Sequence, residues 1–244
     1  MPVRSFLQLL LQPRVVFVSG LSLKELKLIA SANLDTLALL AKHVALESLT
    51  CILTVESTLA RGVNETLARS LRALTNLTHL SLAIDARPDA SELSFTPHEP
   101  AIVLPHLKTL TLHRATPLVS LIDAPQLQRL QVGQWQHVAQ SLRLRGFRAL
   151  RSIAECPSSR SERVPDDFVQ ALTSGCCPNL ERFCFRFQVS SSPVCSGLST
   201  LARLREVELR LSGPVSRTAL LQLLCRCPQQ ERRRAGGRRC QATR

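Results

Sequence analysis

A curved α/β solenoid of about eight degenerate units is the fold this sequence predicts, with short parallel strands on its concave face and helices or loops on its convex face. Three observations carry the prediction. The hexad Leu-x-x-Leu-x-Leu, in degenerate form, recurs eight times along the 244 residues, beginning at Leu23, Leu46, Leu77, Leu107, Leu127, Leu150, Leu180 and Leu204. The intervals between those leucines run from 20 to 31 residues and average about 26, a period expected of stacked supersecondary units that bury their apolar edges only against neighbours. Hydrophobic residues are 45% of the chain but aromatics only 4%, with no Tyr, so leucine and alanine must fill the core. Identical leucines stacked in register do this naturally.

Each element follows from local pattern. Within a hexad the leucines point inward and the intervening residues outward, the period-two alternation of a strand. Leu23-Leu26-Leu28, Leu77-Leu80-Leu82 and Leu107-Leu110-Leu112 are clean copies. Leu127-Leu130-Val132 and Leu204-Val207-Leu209 carry one conservative swap each, Leu46-Leu49-Cys51 and Leu180-Phe183-Phe185 are looser, and Leu150-Ile153 lacks a third apolar residue. Between the hexads, Leu34, Leu37, Leu40 and Ala41 fall at helical spacing after Asn33, a capping residue. Leu59, Val63, Leu67, Leu71 and Leu74 form a stripe at i, i+4 through the strongest predicted helix. Pro165 opens another, with Asp166 and Asp167 where negative charge suits the helix dipole; Phe168, Val169 and Leu172 form its buried face, and Gly175 stops it. A last helix is expected from about Arg217 through Leu220, Leu221 and Leu224. Asp85 to Pro105, with four prolines, reads as a loop or extended excursion. Ala115 to Pro125 is too short for much helix, and Cys156 to Arg163 reads as an insertion.

The domain reading is an N-terminal flank over 1–20, which can hold a degenerate first unit, a repeat domain over 21–228, and a basic, disordered tail over 229–244. The formal charge is +13 and uneven: from Arg203 to Arg244 there are 11 basic residues against Glu206, Glu208 and Glu231. Such a tail attracts nucleic acid, anionic membranes or acidic proteins without choosing among them. Nine cysteines, an odd number without paired C-x-x-C spacing, argue for reduced thiols in a cytoplasmic or nuclear setting and against structural zinc. The apolar run before Pro13 is too short and interrupted for a membrane span and is a weak secretion signal, so no membrane association is expected.

The segments Cys177-Pro178-Asn179-Leu180-Glu181-Arg182-Phe183, Leu104-Pro105-His106-Leu107-Lys108-Thr109-Leu110 and Ala124-Pro125-Gln126-Leu127-Gln128-Arg129-Leu130 share a Pro-x-Leu-x-x-Leu entry to the strand. Through them, and over about Leu21 to Pro228, the chain resembles the leucine-rich-repeat superfamily, specifically the ribonuclease-inhibitor-like and cysteine-containing repeats of eukaryotic F-box proteins. The resemblance implies partner or substrate recognition, with ubiquitin-ligase components as possible associates. No F-box helix set precedes the first hexad. The Asn or Cys that usually closes the strand segment is also absent; Ser31, Thr54, Asp85, Gln188 and Ser212 sit near that position. Cys227-Pro228-Gln229-Gln230-Glu231-Arg232 begins a further copy in which Gln230 replaces the needed leucine.

Nothing in the sequence reads as a catalytic constellation, so the chain is expected not to be an enzyme and to need no cofactor or metal. Gly133, Gly146 and Gly213 are isolated, and no phosphate-cradling loop or nucleophile elbow is present. His79, His106 and His113 lie on or beside neighbouring strands and read as solvated surface histidines. Cys184, between Arg182 and Arg186 on one face, reads as a passive packing thiol, and Trp135 as core filler.

What remains is the outward row of the strands. It runs through Glu25 and Lys27, Ser48 and Thr50, His79 and Ser81, then Thr109, Thr111 and His113. Arg129 and Gln131, Ser152, Arg182 and Arg186, and Glu206, Glu208 and Arg210 complete it. Most of these are the polar residues any exposed strand requires. As a set they form an extended binding surface of the kind stacked repeats supply. The partner-binding residues expected on it are His79, His113, Arg129, Gln131, Arg182, Arg186, Glu206, Glu208 and Arg210. Arginine leads because interfaces concentrate energy in it. The alternative is a nucleic-acid-associated scaffold acting through Arg232, Arg233, Arg234, Arg238 and Arg239, weakened by the lack of interleaved aromatics for base stacking.

Overall fold

A computed structural model of the chain describes residues 24–31, 41–55, 60–86, 100–113, 116–133, 138, 147–156, 166–190, 197–212, 217, 218, 221 and 225. The chain forms two compact units, Met1–Leu127 and Gln128–Arg244. Both are built on parallel strands, and the class is α/β with few helices.

In the first unit, strands β1 (Glu25–Ser31), β2 (Ser48–Val55), β3 (His79–Ala86) and β5 (Thr109–His113) pair parallel in that order. The register superimposes the hexads: Leu26, Leu49, Leu80 and Leu110 stand opposite one another, followed by Cys51, Leu82 and Leu112. All of these side chains are buried. Alternation thus turns a one-dimensional repeat into a leucine ladder, and each fully buried leucine contributes about 1.5–3 kcal/mol over its exposed state. Helix α1 (Ala60–Ala73) lies where the i, i+4 stripe predicts it, burying Leu67, Leu71 and Ala68, with Leu74 buried just beyond. A second pairing was not legible from pattern. β4 (Ile102–Val103) and β6 (Ile122–Asp123) form a two-residue parallel bridge that buries Ile102 against Ile122. It lies outside the main strands and turns part of the proline-rich excursion into ordered structure. A single 3-10 turn, Thr116–Ser120, precedes β6.

In the second unit β7 (Arg129–Val132), β8 (Ser152–Glu155), β9 (Arg182–Ser190) and β10 (Glu206–Ser212) also pair parallel in chain order. Leu130, Ile153, Phe183 and Val207 form the buried ladder. Glu155 occupies the place of the missing third apolar residue and stands opposite Val132. Cys156, completely buried, follows it. Helix α2 (Asp166–Ala171) runs into a wide turn, Leu172–Cys176, and Gly175 takes φ +84° there, the left-handed conformation that favours glycine. Phe168 and Leu172 are fully buried. Phe168 packs on Phe183 and Phe185, whose rings stack at 4.2 Å. Arg217, Thr218, Leu221 and Cys225 are helical, in line with the helix expected there, and Leu221 is half exposed. The predicted helix after Asn33, Trp135 and the tail lie outside the described residues, as does most of the predicted insertion after Cys156.

The strand entries have a common construction. Leu46, Leu77, Leu107 and Leu127 in the first unit, and Leu150, Leu180 and Leu204 in the second, each donate their N–H to the carbonyl three residues earlier, at 3.0–3.2 Å. Where proline is present (Pro105, Pro125, Pro178) it occupies the second position of this turn, for which its fixed φ is suited. This is the physical content of the Pro-x-Leu pattern. Asparagine takes the third position twice. Asn76 donates from Nδ2 to the Val44 carbonyl at 2.9 Å, and Asn179 to the Arg148 carbonyl at 2.7 Å, each tying one turn to the turn before it. The asparagine absent from the strand exit is thus found at the strand entry.

Candidate functional site

The hexad leaves two positions between its first and second leucines, and these generate two rows on each unit. The second of them opens the strand and faces outward. In the first unit the register sets Glu25, Ser48, His79 and Thr109 side by side, then Lys27, Thr50, Ser81 and Thr111. The strands β2 and β3 run longer than the hexads, so a third row follows in which Ile52 stands beside Ala83 and Ala83 beside His113. Ile52 remains 36% exposed, an apolar spot on a hydroxyl-rich face. Reading only the hexads missed it.

His79 and His113 do not come together. His79 is in register with Thr109, four residues before His113, which sets the two roughly 13 Å apart along the strand direction. His79 is exposed, and its Nδ1 lies 2.7 Å from the hydroxyl of Thr78. His113 is half-buried, and that burial pushes its pKa below 6.5, favouring the neutral ring. Among the described residues no group of three His, Cys, Asp or Glu side chains assembles that could hold a metal ion. No described helix is long and apolar enough to cross a membrane.

In the second unit the outward rows are Arg129, Ser152, Arg182 and Glu206, then Gln131, Ala154, Cys184 and Glu208. Arg129 and Gln131 are both exposed. Arg182 is not a lone cation: its Nε sits 3.0 Å from a Glu206 carboxylate oxygen across the strand pair. The predicted basic row and the acidic residue that follows it therefore partly neutralise each other. Glu208 is exposed and stands opposite Cys184. The register between β9 and β10 shifts after Leu209, so that Phe185 pairs with Leu209 but Gln188 with Arg210, leaving Arg186 and Phe187 as a bulge. The side chains of Arg186 and Arg210 lie outside the described residues, as do Arg232, Arg233, Arg234, Arg238 and Arg239.

The first of the two hexad positions was not part of the predicted surface, yet it makes a second line at the strand entries. In the first unit it is Lys24, Glu47, Thr78 and Lys108; in the second it is Gln128, Arg151, Glu181 and Arg205. The backbone shows why these positions are equivalent. Each carbonyl of Lys24, Glu47 and Thr78 accepts the N–H groups of the two residues at and after the corresponding position of the next hexad, at 2.7–3.1 Å; Gln128, Arg151 and Glu181 do the same at 2.8–3.0 Å. Their side chains pair along the line, Lys24 with Glu47 at 2.9 Å and, more loosely, Arg151 with Glu181 at 3.8 Å. In the first unit an open groove of about 410 Å³ follows this line, bordered by Lys24, Glu47, Thr78, His106, Lys108 and Gln126 among others. Reading the first x of every hexad in succession would have revealed the line.

The described cysteines Cys51, Cys156, Cys176, Cys177, Cys184 and Cys225 are free thiols. Burial pushes the Cys51 thiol up to about 12. Cys177 is pushed up to about 12 as well, by burial and by the neighbouring Cys176. Neither has the thiolate character of a nucleophile.

No protein-family model matches this sequence, and no curated protein matches it significantly.

Proposed function

We propose that the chain is a curved leucine-rich-repeat solenoid whose concave strand face recognises a protein partner, without enzymatic activity, in the manner of the substrate-recognition part of an F-box adaptor. One observation carries the reading: within each unit, successive hexads bury their apolar positions and leave mostly polar outward side chains in register. In the first unit the charged Glu25 and Lys27 on β1 are followed by hydroxyl, histidine and apolar side chains on β2, β3 and β5. Such a face is broad, shallow and built on rigid strands, which suits macromolecular recognition better than enclosure of a small substrate. The groove along the strand entries of the first unit is open and bordered mainly by polar groups.

The test is affinity purification of the tagged chain from its native cells after nuclease treatment, with washes in high salt, followed by mass spectrometry. The expected result is a stoichiometric protein partner that resists salt and is lost on Thr50→Arg/Thr111→Arg, with cullin-complex subunits if the adaptor role holds. Recovery of ribosomal or chromatin proteins alone, lost after nuclease, would refute the reading and move the function to the arginine tail.

A further inference from the structure

The strand-entry edge of the second unit carries one arginine on every strand. Arg129 opens β7, Arg151 immediately precedes β8, Arg182 opens β9 and Arg205 immediately precedes β10. They alternate between the outward row and the strand-entry line, so they zigzag across the unit at about 4.8 Å per strand, with row-mates about 9.6 Å apart. The complementary places are taken by Gln128, Ser152, Glu181 and Glu206. Arg148 and Arg203, both exposed, stand in the adjoining turns. Six arginines thus share one edge with two glutamates.

The two glutamates offset only part of this charge. Arg182 meets Glu206 through Nε at 3.0 Å and remains largely exposed, while the Arg151–Glu181 contact is long at 3.8 Å. Among the described residues no carboxylate pairs with Arg129 or Arg205. The arginines also stand further out than their partners: Arg182 is 57% exposed against 39% for Glu206, and Arg151 62% against 30% for Glu181. An approaching anion therefore meets guanidinium first.

We propose that this edge docks an extended, acidic polypeptide segment of a partner protein. The inference rests on the protein-recognition reading above and names the chemistry of the partner. Side chains on one face of an extended segment recur at about 6.8 Å, and Glu or Asp at that spacing lies within side-chain reach of successive arginines, which bind carboxylates in a planar fork. The interleaved glutamates favour a polypeptide, which can place neutral or basic residues against them, over the unbroken negative charge of a nucleic-acid backbone. The phenylalanines whose side chains are described there, Phe147, Phe168, Phe183 and Phe185, are all buried and do not serve base stacking.

The experiment is fluorescence anisotropy of the full chain with two labelled probes at about 100 mM salt: a short alternating Glu-Thr peptide and an oligothymidylate of matched charge. Arg129→Glu/Arg205→Glu is compared with Arg238→Glu/Arg239→Glu, which changes net charge equally, and with Arg129→Gln/Arg205→Gln in case the reversed pair does not fold. The edge substitutions weaken peptide binding by about tenfold or more, and the tail substitutions by less than about threefold. An equal loss from the tail pair, tighter oligothymidylate binding through the same arginines, or no peptide binding at all would each overturn the proposal. If the partner captured by affinity purification still binds the edge variant, the edge is not its seat, and the protein-recognition reading survives.

Discussion

Replacing Phe183 with Ala removes the largest side chain from the buried ladder of the second unit. Phe183 is fully buried, stacks on Phe185 at 4.2 Å, and lies 6.3 Å from the ring of Phe168. Truncation of a buried phenylalanine costs about 3–5 kcal/mol. Some of this, about 0.5–1.5 kcal/mol, is the aromatic pair contact itself. Phe183→Leu keeps most of the volume and should cost well under half as much. A loss of this size is a large fraction of the 5–15 kcal/mol that typically holds a domain, so the second unit should approach its unfolding threshold. Equilibrium unfolding in urea measures the total, and hydrogen exchange locates it. The expected pattern is loss of amide protection across β8, β9, α2 and β10, the elements that pair with or pack on the strand of Phe183. A cost below about 1.5 kcal/mol for Phe183→Ala would refute the packing argument, and unchanged protection across β8, β9 and α2 would refute its location.

Four further outcomes rest on particular residues. Asn179→Ala deletes the 2.7 Å bond to the Arg148 carbonyl and should lower stability by about 1 kcal/mol in urea unfolding, while Asn179→Asp, which cannot donate, should not restore it. Gly175→Ala should cost about 1–2 kcal/mol purely through φ +84°, since a Cβ there would meet nothing within 4 Å; Gly175→Asn should cost less, and equal costs would point to a clash instead. Because burial holds the thiols of Cys51 and Cys177 up at about 12 against an ordinary 9.0, iodoacetamide at mildly alkaline pH should label exposed Cys225 and spare both. The same shift makes stability fall as pH rises above 9, where an unfolded chain ionises its thiols and the folded one does not, read as a dropping urea midpoint.

The strands, the main helix and the stop at Gly175 were legible because each depends on a local rule. Leucine alternation fixed which side chains face inward, the i, i+4 stripe fixed α1, and glycine at the end of an apolar run fixed the turn after α2. The β4–β6 bridge was not legible. Two residues, Ile102 and Val103, are too few for a periodic signal, and their parallel pairing with Ile122 and Asp123 depends on the segments before and after β5 coming side by side. The bulge after Phe185 was hidden for a similar reason: β9 reads as unbroken alternation, and only β10 alongside it exposes the shift. At the candidate site, the outward positions were readable one strand at a time, but the Arg182–Glu206 ion pair required the register between strands. The strand-entry line needed no structure, since Lys24, Glu47, Thr78 and Lys108 all follow the first leucine of a hexad. It was overlooked because strand alternation directs attention to every second residue and stops at the strand's first one.

The most direct test of the account is site-specific photocrosslinking in living cells from the outward face. A benzophenone amino acid is placed singly at Ser81, Thr111 or Ser152, with exposed Lys42 and Thr218 as positions off the outward rows, and adducts are identified by mass spectrometry. The account predicts the same protein partner captured from the outward strand positions and not from the two controls. Capture from the controls alone, or adducts only with nucleic acid, would contradict the claim that this strand face is where the chain meets its partner.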